Sequence, residues 1–194
     1  MAGRTITIER TTRETQITLT LDPDRSSEPD VSTGLPFFDH LLSSMSFHGR
    51  FSLSLRGRGD LDVDPHHLVE DVGLVLGQAL SGVLAKTGAV ARYAHAVVPM
   101  DEALSEIAID VCGRPTLVLH AVFPQPSAGT FDLSLLREFF LGLASEARIS
   151  LHVDIRRGEN GHHMAESAFK ALGRALAEAY APAGEAMSTK GRIG

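Results

Sequence analysis

A chain of 194 residues with 43% hydrophobic side chains can bury a full core, either as one domain or as two small halves packed on each other. Its net charge of -6, with no Lys/Arg-rich run, argues against a nucleic-acid partner, although a few placed basic side chains still suffice for a small anion. The single cysteine, Cys112, excludes an intramolecular disulfide framework and fits a reducing, cytoplasmic setting.

Residues 4 to 10 (RTITIER) and 15 to 21 (TQITLTL) alternate with period two and predict two strands joined by a short polar turn that carries Glu14. That alternation lacks the charged and apolar regions of a signal peptide, and no run reads as long and apolar enough to cross a bilayer, so no membrane partner is expected. The Pro-, Asp- and Ser-rich stretch from 22 to 30 predicts a surface loop or hairpin end. A helix follows, opened by Pro36 and stopped by Gly49, with Phe38, Leu41, Leu42 and Met45 on one face. Residues 51 to 56 read as a strand, and a second helix runs from His66 to about Lys86. The first half is therefore β-β-α-β-α.

The second half repeats this order. Residues 92 to 124 predict two strands around a Gly113-Arg114-Pro115 turn. Residues 132 to 147 predict a helix capped by Asp132 or Ser134, with an apolar stripe through Leu135, Leu136, Phe139, Phe140 and Leu143. A strand at 149 to 155 and a last helix beginning near His162 complete the unit. Overlaying residues 66–80 on 162–176 gives seven identities in fifteen, including both halves of a repeated HHxxE. The chain thus reads as a tandem duplication, residues 1–90 and 91–194, forming one structural unit with its seam near Thr87 to Arg92. Aligning the strand at 52–55 with that at 150–153 also sets His40 opposite Glu138.

On a helix, residues four apart share a face, so His66 and Glu70 can reach one metal ion while His67, turned by roughly 100°, points elsewhere. His162, Glu166 and His163 repeat the arrangement. With His40 and Glu138 there are eight candidate ligands for two sites, a nitrogen and oxygen set suited to an octahedral divalent ion with positions open to substrate. Ligand type alone does not choose among manganese, iron, zinc and nickel. HHxxE is not HExxH, so the zinc-protease arrangement does not apply.

Basic and small residues supply what a phosphate needs, namely charge and several donors: Arg92, Arg114, Lys170, Ser188 and Lys190. Glu14 is a possible general acid or base at a strand end. Asp101, Glu102 and Glu106 read as structural, as do His95, His120 and His152, and His48 is intermediate. Two other readings use the same ligands, a metal-dependent hydrolase and a non-catalytic metal-binding assembly module.

Taken together, RTTRETQI, LPFFDHLL with FHG, HHLVED, RYAHAVVPMDEAL, CGRP, LHV, GENGHHMAESAFKALGRAL and STKG span nearly the whole chain. In this combination the chain resembles the imidazoleglycerol-phosphate dehydratases, lyases of histidine biosynthesis. The resemblance implies dehydration of D-erythro-imidazole-glycerol phosphate to imidazole-acetol phosphate with two Mn²⁺ per active site. It implies metal ligation by His40, His66, His67, Glu70, His162, His163 and Glu166. It also implies that Arg92, Arg114, Lys170, Ser188 and Lys190 hold the substrate, chiefly its phosphate, with Glu14 and His48 in contact with it. The implied fold is a duplicated α+β unit of the ribosomal protein S5 domain 2-like type, each half a four-stranded sheet with helices on one side. The implied assembly is a homo-oligomer, trimers built into a 24-subunit shell with sites between subunits. The chain departs from that family at Glu138, where relatives often carry a ligating histidine, and at Asp154 and Ala94. The repeat with His40 keeps Glu138 among the expected ligands.

Overall fold

The computed structural model describes residues 3–185, so the expected Ser188 and Lys190 lie outside the described residues. In the first half, strands β1 (Ile6–Thr11), β2 (Thr15–Asp22) and β3 (Asp30–Ser32) precede helix α1 (Pro36–Gly49), strand β4 (Ser52–Gly59) and helix α2 (His66–Thr87). In the second half, β5 (Tyr93–Met100), β6 (Ala103–Asp110) and β7 (Thr116–His120) lead through a small hairpin, β8 (Ser127–Ala128) with β9 (Phe131–Asp132), to a 3-10 turn at Leu133–Leu135. Helix α3 (Leu136–Ala147), strand β10 (Ser150–Arg157) and helix α4 (Gly161–Ala179) follow. Asp132 caps the 3-10 turn, its carboxylate accepting the Ser134 N–H at 2.8 Å, and α3 itself starts later than expected, at Leu136, without a side-chain cap.

Two four-stranded sheets result, ordered β1-β2-β4-β3 and β5-β6-β10-β7. The first half contains one strand that the β-β-α-β-α reading lacks, and the second half contains three, one in its sheet and two in the small β8–β9 hairpin. β3 is three residues long, too short to give a period-two signal, and it lies parallel to β4 across the α1 crossover. β7 has a strand-like sequence, but the Gly-Arg-Pro turn before it does not fold β6 and β7 into a hairpin. β10 inserts between them, antiparallel to β6 and parallel to β7. The hairpin of the second half is instead β5 with β6, closed at Asp101 and Glu102, where Asp101 adopts a left-handed φ of 48°.

Alternation on the strands buries one face of each sheet: Ile17, Leu19 and Leu21 on β2, Leu53 and Leu55 on β4, Ile107 and Ile109 on β6, Leu151 and Val153 on β10. The helices cover those faces and pair across the halves, α2 with α3 and α1 with α4. Glycine sets how closely each pair approaches. A Cβ on Gly173 would stand 2.0 Å from the Met45 carbonyl oxygen of α1, and one on Gly77 would stand 2.7 Å from the Leu143 carbonyl oxygen of α3. Gly77 and Gly173 are the same position of the repeat, which explains the Leu-Gly identity as a shared backbone-to-backbone contact. Among the described residues α2, 22 residues long with a most apolar stretch of mean hydropathy 1.5, is the one helix long and apolar enough to cross a bilayer; it lies between its sheet and α3, with 61% of that stretch buried.

Candidate metal centre

Both histidine pairs stand in the first turn of a helix, held by the residue two before them. The Asp64 carboxylate accepts the His66 N–H at 2.7 Å, and the Asn160 side chain accepts the His162 N–H at 2.9 Å. The chain entering α1 is fixed by Asp39, whose carboxylate accepts both the backbone N–H and the hydroxyl of Thr33, at 2.8 and 2.6 Å. The neighbouring His40 is thereby carried on the first turns of a helix already packed against α4.

These constraints bring His40, His162 and Glu166 together, with their ligand atoms all within 4.8 Å of one another. His40 Nε2 and His162 Nε2 each lie 3.1 Å from Glu166 Oε2. The other carboxylate oxygen receives Lys170 Nζ at 2.9 Å and the Ser44 hydroxyl at 3.4 Å. The Phe37 ring packs 4.8 Å from His162 and walls the group on one side. Burial raises the Glu166 carboxyl pKa, but hydrogen bonds from His40 and Lys170 outweigh it and hold it down at about 2. Two imidazole nitrogens and a carboxylate kept ionised form a donor set that fits a divalent cation.

The matching residues of the first half are less gathered. His66 Nε2 and Glu70 Oε2 are 3.7 Å apart, and Glu138 is paired with its neighbour Arg137 at 3.1 Å. Among the described residues these three do not form a ligand cluster like that around Glu166.

His67 and His163 point away from their neighbours, and each meets carboxylates. His67 Nδ1 lies 3.1 Å from Asp60 Oδ2 and 3.9 Å from Glu14 Oε2, and His163 Nδ1 lies 2.8 Å from Glu102 Oε2. The Asp60 and Glu102 hydrogen bonds raise the two imidazole pKa values. Neither carboxylate was expected at the site. Glu102 was readable from the repeat, since it immediately precedes the eight-residue β6 as Glu14 immediately precedes the eight-residue β2.

Of the expected substrate-holding residues among those described, only Lys170 touches the Glu166 cluster. His48 sits near the end of α1, its pKa lowered first by burial and then by Lys170 and Arg174. It lines a surface cavity of ≈ 490 Å³ with Arg50, His95 and Arg174. Arg92, at a left-handed φ of 74°, holds Asp110 through Nε at 2.7 Å and lies over the Tyr93 ring. Arg114 is exposed in the link between β6 and β7. Both arginines stand at the end of the second sheet opposite the Asp101–Glu102 hairpin, an eight-residue strand or about 25 Å away.

A sequence model of the family described as imidazoleglycerol-phosphate dehydratase matches residues 33–176, from the approach to α1 through most of α4. The chain belongs to the imidazoleglycerol-phosphate dehydratase family. It is 47% identical to the imidazoleglycerol-phosphate dehydratase of Acidithiobacillus ferrooxidans, over 100% of this chain and 99% of that one. Among solved structures it is similar to the imidazoleglycerol-phosphate dehydratase of Staphylococcus aureus, with TM-score 0.84 and 35% identity over 92% of this chain and 99% of that chain. The Pyrococcus furiosus dehydratase, in complex with (S)-C348, gives the same TM-score of 0.84 at 33% identity, covering 96% of this chain and 100% of the other. Members of the imidazoleglycerol-phosphate dehydratase family are hydro-lyases of histidine biosynthesis, so the donor cluster around Glu166 belongs to a dehydrating enzyme.

Proposed function

We propose that the chain converts D-erythro-imidazole-glycerol phosphate to imidazole-acetol phosphate and water, using two Mn²⁺ ions per active site in the cytoplasm. The observation that carries the reading is the meeting of His40, His162 and Lys170 on the two oxygens of Glu166. One such carboxylate links a metal-binding group to a cation able to hold a phosphate. His66, His67, Glu70, Glu138 and His163 complete the ligand set. Bound divalent ions supply Lewis acidity that makes an imidazole ring an electron sink for loss of the neighbouring hydroxyl.

The chain's own residues do the rest. Lys170, Arg92, Arg114, Ser188 and Lys190 hold the phosphate and so orient the ring, and His48 lines the approach. Glu14 moves the proton. Its side chain is 55% exposed, and its neighbour His67 is already engaged by Asp60, so Glu14 is a carboxylate with capacity to spare. Arg92 and Arg114 stand far from the Glu102 end of their own sheet, so a site that uses both ends draws on more than one chain. That separation supports a homo-oligomer of trimers, built up to 24 subunits. Within each chain the halves divide at residues 90 and 91, where Val90 bridges Pro182.

Purified protein assayed with imidazole-glycerol phosphate should form the ketone product with Mn²⁺, lose activity on chelation and regain it with added Mn²⁺. No product under any metal condition would end this reading. Glu14→Gln should lower turnover by roughly 10²- to 10⁴-fold with metal content intact, and near-normal turnover would remove Glu14 from the mechanism.

A further inference from the structure

We propose that Glu102, and in the first half Asp60, are positioning residues that hold His163 and His67 by Nδ1 and thereby present Nε2 as the coordinating nitrogen. The inference rests on the reading of these two histidines as metal ligands and assigns roles to two carboxylates outside the ligand set. Glu102 reaches from the β5–β6 hairpin to the start of α4 with both oxygens engaged. Oε2 accepts from His163 Nδ1 at 2.8 Å, while Oε1 accepts the backbone N–H groups of Glu159 at 3.0 Å and Asn160 at 2.8 Å. Asn160 is the residue that caps α4. One carboxylate therefore fixes both the ring and the helix start on which the ring is mounted.

An ionised carboxylate only accepts, so the Nδ1 facing it carries the proton and Nε2 keeps its lone pair. For His163 that nitrogen faces Asp101, whose Oδ2 is 3.6 Å away. Such an outer partner fixes the tautomer and orientation of a ligating imidazole and raises its basicity. Three accepted hydrogen bonds, one from the ring and two from the backbone, commit both Glu102 oxygens to this positioning role. Asp60 serves His67 in the same way, with Nδ1 3.1 and 3.2 Å from its two carboxylate oxygens.

Glu102→Gln tests the idea because its carbonyl oxygen can still accept the two backbone N–H groups while its NH₂ now faces His163 Nδ1. The proton must then move to Nε2 and block it. Long-range ¹H–¹⁵N spectra of metal-free, histidine-labelled protein should show His163 protonated on Nδ1 in the wild type and on Nε2 in E102Q. Mn²⁺ titration followed by electron paramagnetic resonance should show one class of ion weakened by roughly 10- to 100-fold. Asp60→Asn, which disturbs no helix cap, should do the same at His67 and keeps the test open if E102Q folds poorly. Unchanged tautomers and wild-type Mn²⁺ affinity in both variants would overturn the proposal. Wild-type protein that binds no Mn²⁺ would overturn it by a separate route, through the metal centre itself.

Discussion

The α1–α4 and α2–α3 helix pairs have the same backbone plan, and the candidate ligands they carry are gathered to different degrees. Around Glu166 every group attracts its neighbour: two imidazoles, a lysine and a hydroxyl converge on one nearly buried carboxylate, whose side chain is 9% exposed. In the other pair, the position answering to His40 is Glu138. Two carboxylates, Glu70 and Glu138, repel unless a cation lies between them, and Glu138 turns to Arg137 instead. A single His-to-Glu difference between the halves thus accompanies a gathered cluster in one and separated side chains in the other. Duplication of a backbone therefore does not duplicate the electrostatics of a site.

The largest break in this comparison should come from Glu166→Gln, which removes the charge that organises its cluster. Metal affinity at that site should fall by more than the roughly 10- to 100-fold typical of losing an outer partner, with turnover falling alongside it, as read by metal titration and assay. The same carboxyl gives the metal-free protein a pH signature. Its folded pKa of about 2 lies below the ordinary value of 4.5, so its stabilisation is fully present above that ordinary value. It is lost as the pH falls from 4.5 toward about 2, and the unfolding midpoint of E166Q should be flatter over that window.

Glu138→His should act in the opposite direction, replacing repulsion with attraction. It should tighten Mn²⁺ binding at the first-half residues without altering the Glu166 cluster, a difference that stepwise Mn²⁺ titration resolves. The smallest effects concern supports one residue beyond each HHxxE. Asp71, 7% exposed, accepts from Thr15 and pairs with Arg10 at 2.9 Å, whereas Ser167 in the same repeat position meets only neutral groups, including Ser105 at 2.6 Å. Asp71→Asn should cost about 1.5–3 kcal/mol in chemical denaturation, and Ser167→Ala about 1 kcal/mol.

Much of the architecture was legible because it is written in periodicity. The helices from Pro36, His66 and Gly161 announce themselves by apolar spacing and end signals, and the repeat of HHxxE places six candidate ligands at once. β3 was not legible, because three residues carry no period, and neither was the pairing of β7, because strand order depends on where β10 inserts. The roles of Asp60 and Glu102 were hidden for another reason. A carboxylate that orients a histidine from a different element has no fixed sequence spacing from it. The repeat held the clue for Glu102, but only once β2 could be laid on β6.

The glycine contacts at positions 77 and 173 have a further consequence for how such a chain comes to be folded. Each half donates its helices to the other, so a half cut free at the seam would expose the apolar faces of two helices and lack the backbone against which they rest. Folding must bring together partners as distant in sequence as Met45 and Gly173, the kind of long-range closure that slows a chain and leaves sticky surface exposed meanwhile. The two copies of the unit therefore share one core, each supplying the backbone surface on which the other's helices rest.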